Sequence, residues 1–262
     1  MSRLRRIDWG SQIGALIAAA FFLAPTILLI SVSFQGQGGG LSNYGTVLSN
    51  PFLPRFLLNS ATVAVSTTAI VTLVAVMAGF SLSKLRPRGA GIILSAILLG
   101  LMIPTAVMVI PLFIQARDLG LFDTYIGLIG PYVAISVPFS LLMTKNFMDS
   151  MGNELLEAGR LDGCGDWRLL FQIVVPVVRP IVIVVGLWAF IGSWGEYFLA
   201  SVFMKSVDMQ MVTQAPTFYI SQYQQDTGKV FASLVIISLP LMIIYLIGQR
   251  TFIDGLGAGS VK

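Results

Sequence analysis

The segment Asp149-Ser-Met-Gly-Asn-Glu-Leu-Leu-Glu-Ala-Gly-Arg-Leu-Asp-Gly-Cys-Gly-Asp-Trp-Arg168, continuing Leu-Leu-Phe-Gln-Ile-Val-Val-Pro176, is unlike the rest of the chain. Five of the 12 acidic residues fall inside it: Asp149, Glu154, Glu157, Asp162 and Asp166. On either side lie charge-free runs, one ending at Thr144 and one starting at Pro180. A simple hairpin between two helices needs far fewer residues. Asn153 or Ser150 can cap a short helix here, which sets Glu154 and Glu157 at its positive N-terminal end. Leu155, Leu156, Ala158 and Gly159 form a small apolar ridge, flanked by Arg160 and Asp162. Gly163 and Gly165 are expected to end the helix. Such a helix is too short to bury itself and is suited to a groove on another protein.

Outward from this segment, the chain is apolar. Of 262 residues, 56% are hydrophobic and 11% charged, against roughly 25% charged in soluble domains. A water-soluble fold so poor in charge could not cover its own surface. Uncharged runs place spans near 11–33, 57–83, 90–114, 125–144, 180–203 and 230–249. Each suits the roughly 20 residues that cross about 30 Å of hydrocarbon. The expected fold class is therefore all-α, with six transmembrane helices in a single domain over 1–262. The start, Met1 to Arg6 before an apolar run, is read as leading into a first span rather than a cleaved signal.

Loop charge fixes an expected orientation. With both termini in the cytoplasm, the inner face holds Arg3, Arg5, Arg6, Lys84, Arg86, Arg88, Lys145, Arg160, Arg168, Arg179, Arg250 and Lys262. The outer face holds only Arg55, Arg117, Lys205 and Lys229. This map puts the 149–176 segment inside. It also makes the net charge of +4 an orientation signal, with no patch for nucleic acid. Lys84, Arg86 and Arg88 read as orientation charges with some attraction to anionic lipid.

Several chemistries are disfavoured. The chain has no histidine and one cysteine, Cys164, so it lacks the commonest general base, the commonest metal ligand and any internal disulfide. No metal-binding or catalytic residue is assigned. No G-x-x-x-x-G-K-[ST] loop is present. A transporter working alone would need ion-coupling residues in several spans, whereas only Glu196 interrupts them. That stand-alone transporter or channel is the alternative reading. A membrane enzyme would need a polar cluster at one depth, and none is seen.

The connector resembles that of bacterial import-type ABC transporter permeases, whose form is Glu-Ala-Ala, three residues, Gly, nine residues, Ile, one residue, Leu-Pro. Here Glu157-Ala158-Gly159 is followed after three residues by Gly163, and after nine more by Ile173, Val174, Val175 and Pro176. The departures are Gly159 for the second Ala and Val175 for Leu. Gly152 stands where the sugar-importing branch often has Pro. Further stretches are similar to the maltose-permease type: Leu41-Ser-Asn-Tyr44, Asn59-Ser60, Phe122 to Ile129, Trp194-Gly-Glu196-Tyr197 and the ending Gly255 to Lys262.

The resemblance implies a type I ABC importer permease fold with a cytoplasmic coupling helix between spans four and five. It implies that Glu154, Leu155, Glu157, Ala158, Gly159, Arg160, Asp162 and Gly163 contact a cytoplasmic ATPase dimer. It also implies a second permease subunit and an extracytoplasmic binding protein as partners, in a bacterial inner membrane. ATP and Mg would sit on the ATPase, with no cofactor on this chain, and the solute would be a sugar or sugar-like. Asn59, Trp194, Glu196 and Tyr197 are candidates for the solute pathway or its gate. Each has a plainer reading. Glu196 could be an interfacial carboxylate, or bonded to a neighbouring helix. Trp188, Trp194 and Tyr197 could pack or form an aromatic belt. Asn59, Ser60 and Thr62 could join helices. The tail from Gly255 could contact the ATPase.

Overall fold

The computed structural model describes residues 9–36, 39–220 and 226–258, and these carry helices and turns with no β-strand. The helices are α1 (Trp9–Ser33), α2 (Leu41–Leu48), α3 (Leu53–Phe80), α4 (Ala90–Leu99), α5 (Thr105–Asp118), α6 (Tyr125–Ser150), α7 (Glu154–Leu161), α8 (Asp166–Arg168), α9 (Val175–Val177), α10 (Arg179–Gly195), α11 (Phe198–Phe203) and α12 (Thr227–Ala258). Wider π-helical turns follow α3 at Ser81–Leu85 and link α8 to α9 at Leu169–Val174. Four helices among the described residues are long and apolar enough to cross a membrane, and six if two bent pairs each count as one span.

Two of the expected spans are bent. The third, placed near 90–114, turns by 100° between Ala90–Met102 and Thr105–Asp118. Pro104 is the cause. It cannot donate to the preceding turn, and it forces Ile103 into extended backbone at φ −88°, ψ 116°. The fifth span, expected at 180–203, instead joins Asp166–Val177 to Arg179–Gly195 through an 83° bend. The break falls at Val178 (φ −88°, ψ 10°), and Pro180 lies in the first turn of α10, where it has no N–H to give back across the bend. That span also stops at Gly195, because Glu196 is extended at φ −73°, ψ 126°. The fourth helix runs on to Ser150, beyond the expected 144.

The chain divides into two compact units. One combines Met1–Leu53 with Ala215–Ser238. Here the segment after α1 contains α2, held by fully buried Asn43, whose amide donates to Ser33 O (2.9 Å) and Gln35 O (2.8 Å). Tyr44 Oη lies 2.6 Å from Ser33 Oγ, so Asn43 and Tyr44 of the Leu41–Tyr44 stretch both bond to the end of α1. Asp226 caps α12, accepting from Lys229 N (3.2 Å) and pairing with Lys229 Nζ (2.7 Å). The Lys229 hydrogen bond is the main influence holding the Asp226 carboxyl below its usual range. Gly228 sits where a Cβ would come 1.9 Å from Gln35 O and 2.5 Å from Asn43 Nδ2. Gly228→Ala is therefore expected to push α12 off the α2 junction, an overpacking cost of about 1–3 kcal/mol. A reduced melting temperature in detergent would show it; a wild-type value would refute the close approach.

The other unit combines Pro54–Gln214 with Leu239–Lys262. It has two cores. One gathers Leu128 and Tyr132 of α6, Val63 of α3, Val109 and Ala116 of α5, and Leu199, Ala200 and Phe203 of α11. The second gathers Val71, Ala75, Val76 and Phe80 of α3, Met148 of α6, Leu156 of α7, Leu169, Leu170 and Val174 of the π-turn, and Ile181, Val184, Val185 and Ala189 of α10. The acidic connector thus shares a core with three spans.

Candidate functional site

In the connector a three-residue link, 151–153, joins α6 to α7. α7 carries Glu154 and Glu157 in its first turn and Arg160 in its last, which complements its dipole. No side chain caps its start. The cap expected from Asn153 is absent because Asn153 Oδ1 instead accepts from Lys84 Nζ at 3.1 Å. Ser150 is likewise occupied, donating to Phe147 O at 2.7 Å.

The helix has two faces. Leu156 (5% exposed) and Gly159 point into the second core. A Cβ on Gly159 would lie 2.6 Å from Ile173 Cδ1 and 2.7 Å from Leu169 Cδ2, so α7 approaches the π-turn more closely than an unadjusted alanine allows. Leu155, Glu157, Ala158, Arg160, Leu161, Asp162 and Gly163 are exposed, Leu161 at 89%. The apolar ridge read from the sequence is therefore split, with Leu156 and Gly159 inward and Leu155 and Ala158 outward.

The helix ends as expected at Gly163 but for a more specific reason. Gly163 has φ +77°, Gly163 N donates to Arg160 O (3.0 Å) and Cys164 N donates to Gly159 O (2.9 Å). This pair of bonds is a Schellman stop, which favours a residue without Cβ. Gly165 does not take part. It is extended at φ −75°, ψ 166° and leads into α8. Arg160 reaches Asp166 at 3.9 Å across the turn, an exposed and weak pair.

The candidate pathway residues lie elsewhere in the same unit. Glu196 accepts from Tyr132 Oη (2.7 Å), Leu199 N (2.9 Å) and Ala200 N (3.1 Å). It thus caps α11 and is bonded to a neighbouring helix, the second of its plainer readings. Tyr132 escaped the sequence reading, since nothing in a sequence pairs residues 64 positions apart. Asn59 is fully buried and fully used: it donates to Asp208 O (2.8 Å) and Gln210 O (2.9 Å), and accepts from Tyr125 Oη (2.7 Å). Beside it Ser60 Oγ accepts from Val212 N at 2.8 Å. The pair joins α3 to the segment after α11. Trp194 is buried and stacks on Phe190, ring centroids 5.7 Å apart, whereas Tyr197 is half exposed.

A cavity of about 340 Å³ opens beside Glu196. Its wall includes Tyr132, Ser136 and Phe139 of α6, Trp188, Gly192 and Ser193 of α10, and Leu101 and Thr105 at the α4–α5 break. Trp188 and Phe139 lie 4.7 Å apart there. Trp194, Tyr197 and Asn59 are not on its wall.

The sequence model of the binding-protein-dependent transport system inner membrane component family matches residues 52–256. The chain belongs to this family. It is an inner membrane component of a transport system that works with a solute-binding protein and an ATPase, not an enzyme and not a transporter acting alone. It is 30% identical to the diacetylchitobiose uptake system permease protein of Streptomyces coelicolor, over 92% of this chain and 84% of that one. It is 29% identical to the trehalose transport system permease protein of Mycobacterium tuberculosis, over 98% of each. A solved bacterial ABC transporter that imports the acidic polysaccharide alginate has a chain of the same fold, with TM-score 0.80, 24% identity and coverage of 96% and 99%. The fold is that of a type I importer permease.

Proposed function

We propose that the chain forms half of the translocation pathway of an ATP-driven sugar importer and couples to its ATPase through α7. The observation that carries this is the two-faced connector. Leu156 and Gly159 fasten α7 to the span core, while Glu157, Ala158, Arg160, Leu161 and Asp162 are exposed on the face that would meet a partner. A short helix with charges of both signs and an exposed leucine suits a groove on a second protein. Packed on the π-turn and sharing a core with α3, α6 and α10, it can pass a movement of that partner to the spans.

Both units then act as one permease domain over 1–262, with both termini and the 149–176 connector in the cytoplasm. The partners are an ATPase dimer carrying ATP and Mg, a second permease and an extracytoplasmic binding protein, with lipid around the spans. Sugar as the solute class is supported by the names of the relatives. The cavity beside Glu196 supports it too, since aromatic walls and a carboxylate suit a hydroxyl-rich ring. Within that pathway Glu196 faces the space, and Tyr197 is placed one residue on. Asn59 and Trp194 shape its surroundings by holding neighbouring segments.

Co-purification with the ATPase tests the coupling assignment. Glu157→Lys reverses a charge on the exposed face. Gly163→Val places a β-branched residue at φ +77°, where it is strained by about 1–3 kcal/mol. Both are expected to reduce assembly and solute-stimulated ATP hydrolysis. Wild-type assembly and stimulation in both variants would refute the assignment.

A further inference from the structure

The link between α6 and α7 is only residues 151–153 long, and its polar groups have a visible owner. Lys84 Nζ donates to Met151 O at 2.5 Å and to Asn153 Oδ1 at 3.1 Å. Met151 is extended at φ −77°, ψ 129°, so its carbonyl has left the helical ladder and is open to an outside donor. The neighbouring residue repeats the pattern, since Ser83 Oγ donates to Asp149 Oδ1 at 2.7 Å, and Lys145 pairs with the other oxygen of Asp149.

The backbone that supplies these groups is specialised. The π-turn Ser81–Leu85 widens the end of α3 and is closed by Arg86, a non-glycine at φ +47° whose N–H returns to Ser81 O at 2.9 Å. Arg86 Nε also donates to Ser83 O at 3.0 Å. An orientation charge needs none of this geometry. Arg88, two residues on, is exposed and has the same topological value.

We propose that Lys84 is a positioning residue for the coupling connector: its ammonium ties the turn after α3 to the start of α7 and sets where the exposed face of α7 is presented. The proposal rests on the coupling reading above. It gives α7 two attachments, an apolar one through Leu156 and Gly159 and a polar one in the link just before its first turn. Two attachments fix a rotation that one would leave loose.

The test uses the full complex with its partner permease and ATPase in lipid nanodiscs. Hydrolysis of MgATP is measured with and without the binding protein, which is purified free of solute. Lys84→Met should assemble normally but lose stimulation about tenfold, whereas Arg88→Met keeps it and Lys84→Arg restores much of it. Asn153→Leu, which removes one acceptor and crowds the ammonium, should fall in the same direction. The double variant should be no worse than Lys84→Met alone. Equal stimulation in Lys84→Met and Arg88→Met overturns the proposal, as does an additive double variant. If Lys84→Met does not assemble, wild-type stimulation in Asn153→Leu overturns it. Should Glu157→Lys abolish stimulation while Lys84→Met does not, only the role of Lys84 fails. Should neither matter, the coupling reading fails first.

Discussion

Gly159→Leu is expected to abolish solute-stimulated ATP hydrolysis, while Gly159→Ala remains close to wild type. The contrast follows from what lies opposite the glycine. The atoms that a Cβ would meet are Ile173 Cδ1 and Leu169 Cδ2, both far ends of flexible side chains. A single methyl can be admitted if those two ends move by a few tenths of an ångström. Three further carbons cannot, because Leu169 is fully buried and the surrounding core is closed by Phe80, Met148 and Val174. Overpacking a filled core costs about 1–3 kcal/mol, and here a cheaper response exists. α7 has eight residues and can lift off the π-turn without unfolding a span. Lifting it exposes Leu156, whose burial is worth about 1.5–3 kcal/mol, and breaks the apolar attachment that would transmit movement. The spans should survive, so the protein should still reach the membrane and purify. The informative measurement is therefore the ratio of stimulated to basal hydrolysis at equal assembly. A leucine variant that keeps the wild-type ratio would show that the close contact of α7 with the π-turn has no part in coupling.

Gly159 also shows what the sequence could and could not say. Its place in a spacing from Glu157 to Pro176 was legible, because spacing is a property of the chain alone. Its orientation was not. An eight-residue helix with five small or apolar residues spread around it offers two ways to face a core, and only the positions of Leu169 and Ile173 decide between them. The same limit explains Lys84. On charge counting it is one of several basic residues after the second span, indistinguishable from Arg88. It differs because the π-turn aims it at the Met151 carbonyl, and a π-turn leaves no compositional signature in Ser-Leu-Ser-Lys-Leu.

The spans were legible for a different reason. Lipid demands long uncharged runs, and such runs survive any detail of packing. Their breaks were legible only in part. Pro104 and Pro180 both lie in the apolar stretches, yet prolines at 131, 138 and 240 sit inside continuous helices. At Pro104 the preceding Ile103 leaves the helix, and α4 and α5 then diverge beside the cavity next to Glu196. At Pro180 the break falls two residues earlier, at Val178, and Arg179 already belongs to α10. The pathway candidates divide along the same line. Glu196 stood out as a lone acid in an apolar run, whereas Tyr132 could be found only by seeing which helix Glu196 faces.

Glu196→Leu is expected to lower the melting temperature of the purified protein by about 10 °C, corresponding to about 3–5 kcal/mol. The carboxylate has three donors on it: Tyr132 Oη and the N–H groups of Leu199 and Ala200. Hydrogen bonds to a charged acceptor contribute about 1.5–3 kcal/mol each, but three on one group are not additive. Leucine would leave a phenol that is 4% exposed and the first turn of α11 without acceptors. Tyr132→Phe separates these losses. It removes one donor together with its need for a partner, leaves the cap on α11 intact, and should cost only about 1 kcal/mol. Glu196→Gln keeps one acceptor oxygen and should fall between the two. If Glu196→Leu proves no more damaging than Tyr132→Phe, capping of α11 is not what the carboxylate does. If Glu196→Gln melts near the wild type yet transports poorly, the charge itself acts on the solute in the cavity. A cap needs only an oxygen at this position, whereas attraction of a hydroxyl-rich ring gains from the full negative charge.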